Sequence, residues 1–427
     1  MMFKQKIGIL SLGCPRNLVD AESLAGRLRD KGYGIVDIAK SDTAILNTCC
    51  FIESAKKESI DAILELVDLK KQGKIKRIVL AGCLAQRYRE SLQKEIPEID
   101  AFLGPPSLNH GTGRFPLTEK HFAYLKICES CVHNCSYCVI PKIKGKFSSL
   151  GLDSVLQKVS LFNREKISEL NIIGQDITGY GLDLYGKKIL AEALKKILGK
   201  AKNIHWVRLL YLYPGKEVEG ILKIIRDEPK VCKYIDLPIQ HINGRILKLM
   251  QRKTSKSDIL RLIDKIRKVI PEAAIRTSVI VGFPSEKDAE FEELLTFLRQ
   301  AQFDRLGAFI YSREEGTKAF DFKGQLPEKT KQERFDRVML MQQQVSSALN
   351  RKFLGKTIEV LIDERQGKQY LGRSQYDAPE VDGQVYVNSK RALKPGDFAQ
   401  VQITDTLEYD LVGTAVEKEG RHDEYCQ

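Results

Sequence analysis

No stretch of this 427-residue chain is apolar for long enough to span a bilayer, which excludes an integral membrane protein built on helices. There is no internal repeat and no low-complexity tract, so repeat architectures and biased disordered segments are excluded as well. The opening residues, Met1-Met2-Phe3-Lys4-Gln5-Lys6, lead directly into a strand-like segment, with no secretory signal before it. The expected compartment is therefore the cytosol, where thiols stay reduced. Ten cysteines in that setting point away from disulfides and towards metal ligation or redox chemistry. A hydrophobic content of 43% with 29% charged residues suits a soluble globular protein, and the length calls for two or three domains.

The net charge of +13 indicates an anionic partner, nucleic acid or ribosome being the first candidate. That charge is uneven. Residues 355–427 carry nine Lys and Arg against fourteen Asp and Glu, a net of −5, which leaves +18 for the rest. The two parts should prefer different partners.

Three regions follow from patterning. In residues 1–103, apolar strand-like runs at 7–12, 44–47 and 77–81 alternate with helix-like stretches at 18–31, 52–72 and 84–92. This is the alternation of an α/β domain with a parallel sheet. A stretch rich in Pro and Gly, 104–119, reads as a linker. In residues 120–351, six strand-like runs (123–127, 169–173, 207–210, 234–237, 277–281 and 306–310) alternate with helices. Six such units suit a complete or partial TIM-like β/α barrel, with reactive groups at the C-terminal ends of the strands. A polar helical stretch, 328–350, closes the region. From 352 to 427, short β-type runs at 357–362, 385–387, 398–403 and 410–414 are divided by Gly, Pro and Asp, which reads as a small β-barrel of OB-like size.

The densest chemical signal is Cys128-Glu-Ser-Cys131-Val-His-Asn-Cys135-Ser-Tyr-Cys138, directly after the first strand of the second region. Thiolates this crowded suit a soft metal centre. An all-cysteine zinc site is the plain alternative, although such sites usually set their two Cys-x-x-Cys pairs farther apart. Cys14, Cys49 and Cys83 each stand just past a parallel strand of the first region. Neighbouring strands lie about 4.8 Å apart, so the three can meet at one edge of the sheet. Three unrelated buried thiols are the plain alternative there. Cys50 would point away on an extended chain, and Cys232 and Cys426 look incidental.

The subset Cys131-x3-Cys135-x2-Cys138, with Tyr137 before its last member, resembles the signature of radical S-adenosylmethionine enzymes. In those, three thiolates leave one iron of a cubane open to the amino and carboxylate groups of S-adenosylmethionine. The cofactor, once cleaved to a 5′-deoxyadenosyl radical, carries the hard chemistry. Both triads, in this order and ahead of a small β-barrel, resemble the methylthiotransferase family over nearly the whole chain. The supporting motifs are Ser11-Leu12-Gly13-Cys14-Pro15-Arg16-Asn17-Leu18-Val19-Asp20, Asn47-Thr48-Cys49 and Ala81-Gly82-Cys83. In the second region they are Gly174-Gln175-Asp176, Pro238-Ile239-Gln240-His241, Val281-Gly282-Phe283-Pro284 and the run from Tyr311 to Thr317. One branch of the family modifies adenosine in transfer RNA. Another modifies an aspartate of small-subunit ribosomal protein twelve, and the Cys-Pro-Arg-Asn-Leu-Val-Asp form and the stretch from Gly372 to Gly383 are similar to that branch.

The resemblance implies a radical-SAM partial barrel, a TRAM-type β-barrel at the C-terminus and two 4Fe-4S clusters. Cys131, Cys135 and Cys138 would hold one cluster and Cys14, Cys49 and Cys83 the other. Tyr137, Gln175 and Asp176 would face S-adenosylmethionine. One S-adenosylmethionine methylates sulfur on the first-domain cluster, and a second yields the radical that takes hydrogen from the β-carbon of the target aspartate. No catalytic acid or base is expected. An electron donor is required, and no membrane partner. Cys128 departs from the family pattern and reads as a bystander. The family usually has arginine where Lys144, Ser148 and Leu150 stand, and His241 reads as a packed strand-end histidine. An acidic third region would repel RNA and attract a basic ribosomal protein, with Asp377, Glu380 and Asp382 as the expected docking residues. Two other readings are a transfer-RNA enzyme of the same family and a non-enzymatic iron–sulfur binding or assembly protein.

Overall fold

The computed structural model describes residues 5–104, 108 and 113–416; part of the expected linker and Cys426 fall outside them. Among the described residues no helix is long and apolar enough to cross a membrane.

The first domain is a five-stranded parallel sheet of β1 (Lys6–Ser11), β2 (Gly34–Val36), β3 (Thr43–Thr48), β4 (Arg77–Ala81) and β5 (Ala101–Phe102), in the order β2-β1-β3-β4-β5. Its central strand β3 is buried at every residue, as expected of a parallel strand covered on both faces. Ala44 and Leu46 pack with Ile63 and Leu66 of α2 (Glu53–Lys71), while Ile45 packs with Leu24 and Leu28 of α1 (Pro15–Asp30). The alternation along β3 thus assigns one helix to each face. The helix expected over 84–92 is two helices, α3 (Gly82–Arg87) and α4 (Arg89–Glu95), because Tyr88 leaves helical geometry at φ −122°, ψ 27°.

The second domain holds β6 (Phe122–Lys126), a small antiparallel pair of β7 (Cys128–Glu129) and β8 (Ser148–Ser149), then β9 (Glu169–Ile173), β10 (Trp206–Leu209), β11 (Tyr234–Asp236), β12 (Ala274–Val281) and β13 (Arg305–Ile310). Two three-stranded parallel sheets, β6-β9-β10 and β11-β12-β13, join where Val207 N–H donates to Lys230 O (2.7 Å) and Cys232 N–H donates to Val207 O (3.0 Å). The result is a partial β/α barrel whose six strands follow chain order. The helix Glu328–Asn350 packs on β13 and leads into a closed five-stranded barrel. That barrel is β14 (Thr357–Gln366), β15 (Gln369–Ser374), β16 (Val385–Asn388), β17 (Phe398–Thr406) and β18 (Leu411–Ala415), ordered β14-β15-β16-β18-β17.

The small barrel plugs the open one. Leu361, Ala378 and Phe398 share an apolar core with Phe122, Tyr124, Trp206 and Tyr234. Arg208, fully buried, holds Glu169 (2.9 Å) and donates to Gln375 O (2.7 Å), while Arg373 donates to the other oxygen of Glu169 (2.6 Å). This corrects the expected docking role of Asp377 and Asp382 but not that of Glu380. Asp377 is buried against Arg305 (2.5 Å), Asp382 takes Tyr234 Oη (2.5 Å) and Arg276 (3.3 Å), and Glu380 takes Tyr124 Oη (3.1 Å). Asp377 and Asp382 spend their charge inside the chain, because a half-open barrel rich in interior arginine and tyrosine needs acidic partners to be closed, whereas Glu380 is exposed and pairs with no cation among the described residues.

Candidate active site

Cys14, Cys49 and Cys83 stand at the C-terminal ends of β1, β3 and β4, three adjacent strands of one sheet. Glycines permit the approach. At Gly13 (φ +85°) a Cβ would lie 2.7 Å from Cys49 Cβ and 2.8 Å from its sulfur, and at Gly82 (φ +87°) it would lie 2.4 Å from Thr48 O. No L side chain fits either place, so the Gly-Cys order is a packing requirement. Asn17 stitches the edge, donating from Nδ2 to Leu12 O (3.0 Å) and Thr48 O (2.9 Å), with Oδ1 3.8 Å from Cys83 Sγ. Asn47 Nδ2 donates in turn to Asn17 O (2.6 Å).

The thiols are electrostatically unlike. Burial alone would raise Cys14. The Arg16 charge and the N–H groups of Asn17 and Arg16 at the start of α1 outweigh it and leave the thiol below its ordinary value. Burial raises Cys49 and pushes Cys83 up to about 12. In the second triad, burial and then the Asp176 charge push Cys131 up to about 12, and burial pushes Cys138 up to about 12. Each of these two thiols feels the charge of Cys135. Such thiols ionise readily only when a metal centre takes the thiolate, releasing protons as it binds. Among the described residues no group of three His, Cys, Asp or Glu is drawn together for a single ion. A cubane spreads its ligands over separate iron corners.

The second triad lies in the loop between β7 and the helix Ile140–Lys144, at the C-terminal end of β6. Around it the polar groups are oriented but unspent. His133 stacks on Tyr213 (3.6 Å between ring centres), and its Nε2 lies 3.2 Å from Asp176 Oδ2 without the alignment of a hydrogen bond. Both imidazole nitrogens, Asp176 Oδ2 and Gln175 Oε1 are buried with no partner among the described residues. Orphaned buried polar atoms at the mouth of a barrel fit a polar cofactor that satisfies them. Asp176 Oδ1 takes Thr178 N–H (2.9 Å) and Oγ1 (2.6 Å), and Gln175 Nε2 donates to Glu129 (2.8 Å). Tyr137 packs with Ile246, Met250, Phe283 and Tyr311, and burial raises its hydroxyl. Cys128 is fully buried, its thiol lying 3.5 Å from Asp176 O and raised by burial, as befits a bystander. His241 is also fully buried, and its Nδ1 accepts Asn243 N–H (2.9 Å).

Several residues at this site, Lys144 apart, were not singled out from the sequence. Arg16 reaches from α1 across to the barrel and donates to Gly174 O (3.2 Å). Asp20 of α1, Lys126, Glu129 and Lys144 form a buried quartet. Lys126 bonds Asp20 and Glu129 (2.5 Å), and Lys144 bonds Asp20 (3.2 Å) and approaches Glu129 (3.4 Å). Lys144 therefore keeps a charged role without a planar fork, while Leu150 is buried in the barrel core, where a charge would have no place. On the far side, Glu314 is clamped by Arg87 (2.9 Å) and Lys56 (3.2 Å) of the first domain. Val139 and Ile143, just after the second triad, share a core with Cys50, Cys83 and Leu84. The two domains that carry the triads are thus joined at one packed junction.

Comparison with known proteins matches three family models: "Uncharacterized protein family UPF0004" at residues 6–104, "Radical SAM superfamily" at 125–298 and "TRAM domain" at 354–416. The chain is 45% identical over 436 residues to a ribosomal protein uS12 methylthiotransferase RimO of Clostridioides difficile, covering 96% of this chain and 98% of the relative. To the protein of that name from Geobacter sulfurreducens it is 43% identical over 444 residues, covering 97% and 99%. Among solved structures, the radical S-adenosylmethionine methyltransferase TsrM of Kitasatospora setae aligns with a TM-score of 0.51 at 12% identity, over 71% of this chain and 73% of that one. The cobalamin-dependent radical enzyme OxsB aligns at 0.52 with 11% identity, over 79% of this chain and 56% of that one. Those two likenesses speak for the fold alone.

Proposed function

The chain belongs to the RimO family of ribosomal protein uS12 methylthiotransferases, enzymes of the radical S-adenosylmethionine type, and we propose that its two cysteine triads divide the work of that reaction. Cys131, Cys135 and Cys138 would hold a 4Fe-4S cluster and Cys14, Cys49 and Cys83 a second one. When bound, the first cluster and S-adenosylmethionine would supply the radical chemistry and the second the sulfur. Tyr137 walls the pocket, and Gln175 and Asp176 offer it their unspent oxygens. The target is the β-carbon of an aspartate in uS12, no side chain serves as acid or base, and the work takes place in the cytosol with a separate electron donor. Residues 1–103 belong to the sulfur-presenting domain, 120–351 to the barrel, and 352–427 to the third region, whose described part to residue 416 is its plug.

One observation carries this reading. Two sets of three thiols, one from each of two domains, are brought to one junction by Arg16, the Asp20 quartet and the Glu314 clamp. A methylthio transfer needs that juxtaposition, since the carbon radical must reach sulfur before it reaches anything else.

The test is reconstitution of the wild type and of two triple alanine variants. Replacing Cys131, Cys135 and Cys138 should remove about half of the bound iron and abolish 5′-deoxyadenosine formation. Replacing Cys14, Cys49 and Cys83 should leave S-adenosylmethionine cleavage measurable while methylthio-uS12 disappears. A single cluster in intact protein handled without oxygen, or normal product from the second variant, would refute the division of labour.

A further inference from the structure

Arg16 is placed between the triads with the Cys14 thiol beside it and no carboxylate partner among the described residues. It follows Cys14 by two residues, donates to Gly174 O (3.2 Å) on the barrel side, and lies 4.4 Å above the ring of Tyr211. That ring is fixed from behind. Tyr211 adopts the left-handed backbone (φ 63°), its N–H donates to Asp236 Oδ2 (2.8 Å), and Asp236 is itself held by Arg276 (3.2 Å). A strained, fully supported residue of this kind at the end of β10 marks a functional position.

Arginine offers five N–H donors in a planar fork and cannot lose its charge. At three other interior sites this chain answers that charge with a carboxylate, Arg208 with Glu169, Arg305 with Asp377 and Arg334 with Glu286, while Arg252 beside the second triad rests on Pro238 O and the Tyr213 ring. Arg16 makes no ion pair with any described residue. Glu129, whose charge it feels, is committed to Lys126, Lys144 and Gln175. The residue as a whole is half-buried in the junction. Its partners there are a carbonyl, a ring and a thiol, which leaves a place for one more acceptor of negative charge.

We propose that Arg16 receives the side-chain carboxylate of the aspartate to be modified. This rests on the uS12 reading above, which requires an aspartate β-carbon between the two triads. The carboxylate is one bond from that carbon, so the group that fixes it also aims the C–H bond. A fork held over an aromatic ring suits a planar carboxylate, and a neutral amide in its place would leave the buried charge unpaired. Arg16 is then the residue that restricts the reaction to aspartate.

The experiment titrates reconstituted enzyme with two peptides that span the modified loop of uS12, one with the target aspartate and one with asparagine there. Wild type should bind the aspartate peptide at least about tenfold more tightly, the worth of a charge-assisted hydrogen bond. In Arg16→Gln that preference should vanish, and in Arg16→Lys it should be partly restored. Iron content checks each variant. Loss of iron from Arg16→Gln would make the residue a support of the cluster and overturn the proposal. So would an undiminished preference for aspartate. If wild type neither binds nor modifies the aspartate peptide or whole uS12, the substrate reading itself has failed.

Discussion

Two side chains carry most of what is specific at the residue scale. Asn17 satisfies two buried carbonyls on neighbouring strands while holding Cys83 in place. Asn17→Ala leaves both carbonyls without a donor and should cost about 1–3 kcal/mol. Thermal denaturation should show the loss, and chelator challenge should strip iron faster from the variant; equal iron retention would mean that the sheet edge holds itself. His241 behaves differently. Burial holds its imidazole at about 3, far below its ordinary 6.5. The unfolded chain therefore takes up that proton on passing below 6.5 and the folded chain does not, so acid favours unfolding from 6.5 down to about 3. The slope should approach about 1.4 kcal/mol per pH unit. Urea denaturation at pH 7 and pH 5 should show this contribution in wild type and lack it in His241→Gln. The histidine was read correctly from sequence as packed, because a histidine at a strand end inside an apolar run has little room for water.

Elements were legible to the degree that their burial is periodic. β1, β3, β4 and the six barrel strands are mostly apolar runs and were placed from sequence to within a few residues, and β9 and the helix Glu328–Asn350 coincide with their expected bounds. β2 is three residues long, and β15 includes Gln369, Arg373 and Ser374, whose polar groups are buried or paired only through the barrel, so neither shows a strand pattern of its own. The same tertiary dependence hid the Asp20–Lys126 bond, whose partners lie 106 residues apart. It also reversed the meaning of the acidic motif between Gly372 and Gly383. Composition announces an acidic barrel, but only the fold shows that Asp377 and Asp382 face Arg305 and Arg276. Asp377→Asn should accordingly cost about 3–5 kcal/mol, because Arg305 would be left as a buried unpaired charge. Calorimetry would check this. An unchanged melting temperature, together with weaker uS12 binding, would restore the docking role.

For the whole molecule, the decisive property is the fixed relation of two domains, each with its own triad. Glu314 is buried and takes both Arg87 and Lys56 across the junction, and Arg87 also donates to Glu315 O (2.7 Å). Glu314→Gln should loosen that relation without touching either triad. A misplacement of about 1 Å between reacting groups can cost on the order of a hundredfold, so 5′-deoxyadenosine formed per methylthio product should rise in the variant. An unchanged ratio would remove the clamp from the mechanism. The central claim, that this chain transfers a methylthio group to uS12, is tested most directly by mass spectrometry of uS12 and of bulk transfer RNA from cells with and without the gene. The account predicts a methylthio-aspartate on uS12 that disappears with the gene while transfer RNA is unchanged. A uS12 spectrum indifferent to the gene, with methylthio-adenosine lost from transfer RNA, would contradict it.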